Sequence, residues 1–178
     1  GGAEYTTATE NGSYKGGKIT DIEGGVKVPL FIKWNKWPNG LKYEKPVVSM
    51  DLFTTILGAA NVSKPKDRAI DGVDLTPFVL DENAPFPHDY LYWQRGISRT
   101  VRSNQYKLLV NDMLQDTVLF NLNTDPIESI NIADEHPEKV SELLHALNLW
   151  SASLPEPLWP AVIYYEYKDG EQTYLFDQ

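Results

Sequence analysis

The pattern of hydrophobic and polar positions changes once along the chain, close to its middle. In the first half, the apolar run Val28–Ile32 predicts a strand over 26–34 that is buried on both faces, as in a covered α/β sheet. Ser49 is predicted to cap a helix over about 50–60. This helix carries an apolar stripe at helical spacing that should face a core, and the stripe comprises Leu52, Phe53, Ile56, Leu57 and Ala60. The prolines within 81–88 mark the best domain boundary.

The pattern of the second half predicts a small antiparallel α+β unit. Four short strands with short connections are predicted as a meander, at 90–94, 97–102, 106–110 and 118–122. A helix with proline at its first position, Pro137, should follow and end before Pro155. Its buried stripe is predicted to be Val140, Leu143, Leu144, Leu147 and Trp150. Residues 162–167 and 173–176, joined through Asp169-Gly170, predict a terminal hairpin.

Composition excludes several classes of protein. The 178 residues include 16 Lys+Arg and 25 Asp+Glu, which gives a net charge of −9. This charge argues against a protein that binds nucleic acid and against a basic protein of the membrane surface. The chain has no cysteine, so disulfide scaffolds, thiolate zinc sites and thiol nucleophiles are excluded. No apolar run is long enough to span a bilayer. The three histidines, His88, His136 and His145, are interpreted as ordinary surface or half-buried residues and not as a metal site.

A lysine framed by glycines is the strongest candidate for chemistry. Gly16-Gly17-Lys18 is followed by Glu23-Gly24-Gly25, and this loop leads into the apolar run. Glycines permit a close approach of the backbone, and an ammonium is a compact charge with three donors, which suits an oxyanion. The alternative from the residues alone is an exposed loop lysine.

The same segment resembles a known family. Residues 16–29 are similar to the segment G-G-K-x-x-x-x-E-G-G-x-x-V-P of the formylglycine-dependent (type I) sulfatases, in the alkaline-phosphatase-like superfamily. Five further blocks follow in the family's order. Two of them lie in the first half: D-x-x-P-T-x-L at 51–57, with Thr54 in place of proline, and D-G-x-S-L at 71–75, with Asp74 in place of serine. The other three lie in the second half: F-W at Tyr92-Trp93, R-x-x-x-Y-K-L at 102–108, and L-Y-x-L-x-x-D-P-x-E-x-x-N at 119–131.

This resemblance implies a C-terminal portion of a sulfatase. Residues 1–84 would be the end of the α/β catalytic domain, and 85–178 its small antiparallel sheet packed with a C-terminal helix. Lys18 would be a catalytic residue that binds sulfate oxygens. His88, Trp93 and Arg95, near the junction, are predicted to line the substrate entrance, with packing between domains as the alternative.

In the family, a Cys or Ser in the pattern C/S-x-P-x-R becomes formylglycine, and a divalent cation, usually calcium, helps to hold the sulfate. The complete enzyme is therefore expected to use both, but this chain is expected to hold neither. The segment beginning Ser63-Lys64-Pro65-Lys66 lacks the pattern's arginine and is interpreted as a coincidence. The family's D-N-G metal motif would immediately precede the loop before Gly16, and the chain opens with Gly1-Gly2 as though cut just after that Asp-Asn pair. Glu10-Asn11-Gly12 is at most a divergent form of this motif.

The expected function is thus hydrolysis of sulfate monoesters by the complete, exported enzyme, with this chain alone inactive. Its expected partners are the sulfate ester, together with either the N-terminal part of the sulfatase or a second copy of the chain, and neither nucleic acid nor membrane. Two alternatives stay open: a phosphoester or phosphonate hydrolase of the same superfamily, and a non-catalytic interaction module. The upstream nucleophile would distinguish a sulfatase from a phosphoester hydrolase, since the first uses formylglycine and the second Thr or Ser. The absence of a nucleophile from this chain favours the interaction module for the chain on its own.

Overall fold

Two units make up the structure, a computed structural model that describes residues 2, 9–159 and 161–177. Unit 1 combines the described residues of 1–29 with those of 90–178, and unit 2 comprises 30–89. The predicted domains, 1–84 and 85–178, stay a prediction. In chain order the elements are α1 (Glu23–Val26), α2 (Ser49–Ala59), α3 (Thr76–Leu80), β1 (Leu91–Arg95), β2 (Ser98–Arg102), β3 (Tyr106–Asn111), β4 (Asp116–Asn121), α4 (Pro137–Ser151), β5 (Tyr164–Asp169) and β6 (Gln172–Asp177).

Unit 1 is organised around the predicted meander, which the structure confirms. Strands β1 to β4 form one sheet in sequence order, and every pairing is antiparallel. Strands β5 and β6 pair with each other as a separate hairpin that turns at Gly170, whose φ is +59°. Within β1 to β4, each strand follows the last through a short connection, which is why local signals were enough to predict the meander.

The two faces of the four-stranded sheet are covered by different elements. Alternate side chains of a strand point to opposite faces. On one face, Leu108 and Leu119 pack against Leu143 and Leu147 of α4, all completely buried. On the other face, the sheet packs against the β5–β6 hairpin and the loop 15–26, and this cluster comprises Ile22, Leu109, Val118, Phe120, Leu122, Tyr174 and Phe176. The α4 helix thus begins and packs as predicted, with Pro137 at its first turn.

Helix α2 of unit 2 buries the face opposite to the predicted stripe. Ile56 is 64% exposed, and Phe53 is 48% exposed, whereas Asp51, Thr54 and Thr55 are buried. Hydrogen bonds explain this reversal, because the buried polar side chains bind the backbone of 72–75. The bonds are Val73 N–H to Asp51 Oδ1 at 3.0 Å, Thr54 Oγ1 to Gly72 O at 2.9 Å and Leu75 N–H to Thr55 Oγ1 at 3.0 Å.

The cap of α2 also differs from the prediction. Ser49 is the first helical residue and Val48 is the N-cap position, which makes no side-chain cap hydrogen bond of its own. Asp51 takes the role instead, because its Oδ2 accepts the Val48 N–H at 2.9 Å. A carboxylate at the start of a helix satisfies a backbone donor and interacts favourably with the helix dipole.

The predicted strand over 26–34 is wrong. Residues 27–34 have no regular secondary structure, Val28 is 64% exposed and Phe31 is 92% exposed. A strand needs a neighbour for its backbone groups, and no strand in the described part of the chain pairs with this run. The apolar pattern alone does not supply that neighbour.

The longest helix, α4, has 15 residues. Among the described residues, no helix is long and apolar enough to cross a lipid bilayer.

Candidate functional site: a lysine on a glycine-built loop

The loop 15–26 is folded tightly on itself because its glycines allow backbone to approach backbone. A Cβ on Gly24 would lie 2.2 Å from the carbonyl oxygens of Lys15 and Gly16, and a Cβ on Gly25 would lie 2.0 Å from that of Thr20. Contacts this short exclude any side chain at either position. The Gly24 N–H donates to Lys15 O at 2.9 Å and closes the loop. The glycine pattern in the sequence is therefore a packing requirement of this loop.

Lys18 lies on this loop with its side chain exposed to solvent. The other lysine of the loop, Lys15, forms an ion pair with Asp169, and Lys27, just after the loop, donates to the Tyr14 hydroxyl at 2.8 Å. Within the described residues, no carboxylate lies within ion-pair distance of the Lys18 ammonium. The backbone of Lys18 is held, since its N–H donates to Gly2 O at 2.8 Å. The loop thus presents, from an ordered backbone, a cation that has no ion-pair partner among the described residues.

Ile19, the next residue, adopts a strained backbone conformation. Its φ is +92°, a region that β-branched residues rarely enter and that costs about 1–3 kcal/mol. Two interactions hold it there: its side chain packs against the hydrophobic cluster below the loop, and its carbonyl accepts a hydrogen bond from Nη2 of Arg95. Strain of this kind persists only where the surroundings fix the conformation.

Asp21 ties the same loop to the sheet. Its side chain is almost completely buried and accepts from Arg95 Nη2 at 2.9 Å and from Ser98 Oγ at 3.3 Å. Burial raises the pKa of Asp21 above its ordinary value, and the positive charge of Arg95 acts in the opposite direction. Because Arg95 reaches both Ile19 and Asp21, one guanidinium spans the loop directly after Lys18.

A buried ionic cluster holds the far end of the loop. Lys107 of β3 is completely buried, and its Nζ lies 3.1 Å from Oε1 of Glu23 and 2.8 Å from Oε1 of Glu128. Glu128 also accepts the Glu23 N–H at 2.5 Å, and Arg102 Nη1 lies 3.2 Å from Glu23 Oε1. Charges removed from water are tolerated only when they are paired and hydrogen-bonded in this way.

The pKa values of the two glutamates move in opposite directions. Burial opposes ionisation of Glu23, but the charges of Lys107 and Arg102 together hold the pKa of Glu23 below its ordinary value. Burial raises the pKa of Glu128, and Lys107 counters only part of this effect. Of the two glutamates, Glu23 is therefore the one whose ionised form the folded chain stabilises.

Of the predicted site residues, Lys18, Trp93 and Arg95 belong to unit 1. Trp93 lies opposite Thr100 in the sheet and Arg95 opposite Ser98, so both side chains are on the face that the loop covers. His88 belongs to unit 2, where its Nε2 hydrogen-bonds Asp51. Their proposed role at a substrate entrance stays a prediction.

The ionic cluster was not predicted from the sequence, although a signal was present. Lys107 stands among apolar residues in a strand, and Glu23, Lys107 and Glu128 are letters of three separate family blocks. A charged residue within a buried strand needs a counter-ion, and these blocks supply it.

The described residues contain no group of three or more His, Cys, Asp or Glu side chains arranged to hold a metal ion. Asn11 of the Glu10-Asn11-Gly12 segment has a local role instead. Its Nδ2 donates to Gly16 O at 2.8 Å, and its Oδ1 accepts the Gly2 N–H at 3.1 Å. Ser63 is exposed in an irregular segment. The described residues therefore offer no set of ligands for the calcium expected in a complete sulfatase, and the sequence has no C/S-x-P-x-R motif from which formylglycine could form.

Comparisons with known proteins agree with the motif blocks. A family model described as "N-sulphoglucosamine sulphohydrolase, C-terminal" matches residues 18–151. The uncharacterized sulfatase YdeN of Escherichia coli K12 is 27% identical, covering 83% of this chain and 33% of that protein. Human steryl-sulfatase is 39% identical over 83 residues, which are 46% of this chain and 14% of that protein.

A solved structure described as Ps i-CgsB superposes with a TM-score of 0.71 at 27% identity, covering 82% of this chain and 33% of that one. A second structure of Ps i-CgsB, in complex with k-i-k-neocarrahexaose, gives a TM-score of 0.60 at 25% identity, covering 71% of this chain and 29% of that one. The chain spans about a third of YdeN and of Ps i-CgsB, and a smaller share of steryl-sulfatase.

Proposed function

Because the chain belongs to the sulfatase family described as N-sulphoglucosamine sulphohydrolase, C-terminal, we propose that the complete protein hydrolyses sulfate monoesters and that this chain supplies Lys18 to the sulfate. The C-terminal part, residues 85–178, is the scaffold that closes one side of the site.

The observation that carries this proposal is the state of Lys18. Its ammonium is exposed and unpaired within the described part of the chain, yet its backbone lies on a loop fixed by close glycine packing and by hydrogen bonds. A positioned cation stabilises negative charge that develops in a transition state, because it needs no reorganisation when the charge appears. Hydrolysis of a sulfate monoester builds charge on the oxygens of the sulfate and on the leaving oxygen.

In the complete enzyme, calcium would be bound by residues other than the described ones of this chain, and formylglycine would be formed from a residue outside this sequence. The sequence has no cysteine, and no serine of it stands in a C/S-x-P-x-R pattern. We therefore assign no step of the reaction to either group through residues of this chain. What this chain contributes is charge and position: Lys18 donates hydrogen bonds to sulfate oxygens, and the loop keeps that donor in place.

A sulfated carbohydrate is the substrate class that we propose to test first. The Ps i-CgsB complex contains k-i-k-neocarrahexaose, and that structure covers most of this chain at 25% identity. Steryl-sulfatase matches a shorter part of the chain. A carbohydrate ligand in the relative with the broader match supports a carbohydrate ester over a steryl ester.

The experiment compares Lys18→Ala with wild type in the complete enzyme, using an aryl sulfate and a sulfated oligosaccharide as substrates. Loss of one donor to the transition state should lower kcat/KM by about 10²–10³. The thermal unfolding midpoint should stay unchanged, because the Lys18 side chain has no ion-pair partner within the part of the chain that the structure describes. Lys33→Ala, at an exposed lysine of unit 2, is the matched control and should be near wild type. A near-wild-type rate for Lys18→Ala would overturn the proposal, and faster hydrolysis of the corresponding phosphate esters would identify a phosphoester hydrolase instead.

A further inference from the structure

Arg95 is placed where a single side chain can fix the backbone on the C-terminal side of Lys18. Its guanidinium donates to the carbonyl of Ile19 and to Oδ1 of Asp21. The guanidinium of Arg95 also lies over the Phe176 ring, with its central carbon 5.6 Å from the ring centre. Arg95 is thus itself held by the sheet and the hairpin, which makes it a stable point of attachment.

The backbone of Lys18 lies between two anchored groups. On one side, its own N–H donates to Gly2 O at 2.8 Å. On the other side, Arg95 holds the carbonyl of Ile19, the residue whose φ of +92° is unfavourable for an isoleucine. Without the hydrogen bond from Arg95, the backbone of Ile19 would relax to a negative φ, which is more favourable for isoleucine. This rotation of the backbone would change the direction of the adjoining Lys18 side chain.

Asp21 makes the attachment depend on arginine in particular. A buried carboxylate needs a cation, and Arg95 meets that need while also reaching the Ile19 carbonyl. Both hydrogen bonds come from the same atom, Nη2 of Arg95, at the far end of the side chain. A lysine side chain ends one bond short of that atom, so a lysine would retain a charge near Asp21 but would lose reach to the Ile19 carbonyl.

We propose that Arg95 is a positioning residue, which sets the direction of Lys18 by holding the strained Ile19 carbonyl and Asp21 together. This proposal rests on the proposed role of Lys18 and differs from the sequence-based prediction that Arg95 lines the substrate entrance. Arg95 acts through the loop and does not touch the sulfate.

A double-mutant cycle in the complete enzyme tests whether Arg95 acts through Lys18. We expect Arg95→Met to lower kcat by about tenfold to 100-fold with KM little changed, since misplacing a catalytic group by about 1 Å has an effect of this size. In a Lys18→Ala background, Arg95→Met should have almost no further effect, because there is no ammonium left to position. An equal loss in both backgrounds would overturn the proposal.

The matched control is Arg99→Met. Arg99 lies on the neighbouring strand β2 and pairs with Asp112 through two hydrogen bonds of 2.8 and 2.7 Å, but it does not contact the loop. Arg99→Met should lose an ion pair with a carboxylate that is about half exposed, and a hydrogen bond to Asn148, without a change in kcat. If Arg99→Met lowers kcat as much as Arg95→Met does, the effect is a general loss of sheet integrity, and the proposal fails.

Hydrogen exchange on the 178-residue chain gives a readout that needs no activity. Amides of 17–21 should exchange at least about tenfold faster in Arg95→Met than in wild type or in Arg99→Met, while β3 amides keep their protection. Should Arg95→Met unfold, Arg95→Lys serves instead, and it should keep β3 protection and still lose loop protection. Unchanged loop exchange in the folded variant would overturn the proposal. A wild-type rate for Lys18→Ala, by contrast, would overturn only the proposed function.

Discussion

Nε2 of His88 lies 2.9 Å from Oδ1 and 3.0 Å from Oδ2 of Asp51, and the aspartate is completely buried. The same carboxylate accepts the N–H groups of Val48 and Val73. Asp51 is therefore the common acceptor that joins the start of α2 to two distant parts of unit 2. In the sequence, it is the first letter of the D-x-x-P-T-x-L block, whose purpose here is structural.

We expect Asp51→Ala to lower the free energy of unfolding of unit 2 by about 3 kcal/mol or more, because two backbone donors and His88 lose their acceptor and each orphaned buried group costs about 1–3 kcal/mol. Native-state hydrogen exchange of the α2 amides measures this loss. Asp51→Asn keeps the size and one acceptor oxygen and should lose less. Asp67→Ala, which removes an exposed pair with its neighbour Arg68, should change little. Equal effects of Asp51→Ala and Asp67→Ala would contradict the anchoring role.

The buried cluster predicts a pH-dependent stability. The pKa of Glu23 is lower in the folded chain than its ordinary value of 4.5, so its stabilising contribution is present above that pH and is lost as the pH falls through the folded pKa. Glu23→Gln should therefore lower the free energy of unfolding by about 3 kcal/mol at pH 7, and the gap to wild type should narrow below about pH 4.5. Urea titrations at several pH values measure this difference in the free energy of unfolding.

Glu135→Gln, at an exposed position, is the control for that series and should follow wild type at every pH. A gap between wild type and Glu23→Gln that widens on acidification would show that the sign is reversed. That result would be expected if the raised pKa values of Asp21 and Glu128 governed the cluster instead of Glu23.

The exposed apolar run in 28–32 predicts self-association of the chain. Phe31 is 92% exposed, and neighbouring residues add further apolar surface, whose removal from water is favourable by about 25 cal/mol per Å². Phe31→Ser should shift sedimentation profiles of the purified chain towards the monomer. Met113→Ser, at another exposed apolar residue, should not. A wild-type chain that stays monomeric at high concentration would refute this expectation.

We expect the 178-residue chain to show no turnover of p-nitrophenyl sulfate above buffer. It has neither a formylglycine precursor motif nor, in its described residues, a group of side chains suited to a metal ion. A parallel preparation of Lys18→Ala controls for contaminating hydrolases, which would be unaffected by the substitution. Activity that is present in wild type and reduced in Lys18→Ala would show that the chain holds a nucleophile of its own.

The elements that could be predicted from sequence are those whose partners are close along the chain. Strands β1 to β4 follow one another with short turns, and α4 carries both a proline start and an apolar stripe. Which face of α2 is buried could not be predicted in the same way. Its apolar stripe is real, but Thr54 and Thr55 bind a segment about 20 residues further on, and that hydrogen bonding decides which side is buried.

In the candidate site, too, the local features could be predicted from the sequence and the contacts between distant residues could not. Lys18 was predicted because its glycines and glutamate form a recognisable local block. The contacts that hold it were not, because Arg95 lies 76 positions from Ile19, and a hydrogen-bond pairing at that separation leaves no periodic trace in one sequence. The interpretation of 26–34 as a strand failed for a related reason, since an apolar run does not specify what covers it.

The separation of these partners also fixes the order in which the molecule can be completed during synthesis. Glu23 precedes Lys107 by 84 positions and Glu128 by 105. At roughly 5–20 residues per second, the ribosome needs about 4–17 s to deliver Lys107 after Glu23 has been made. During this interval the glutamate has no ammonium to pair with, so the loop that carries Lys18 is translated first but acquires its native form only when β3 and the segment after β4 have emerged. A ribosome that stalls near residue 90 would leave the lysine loop translated but without its anchors.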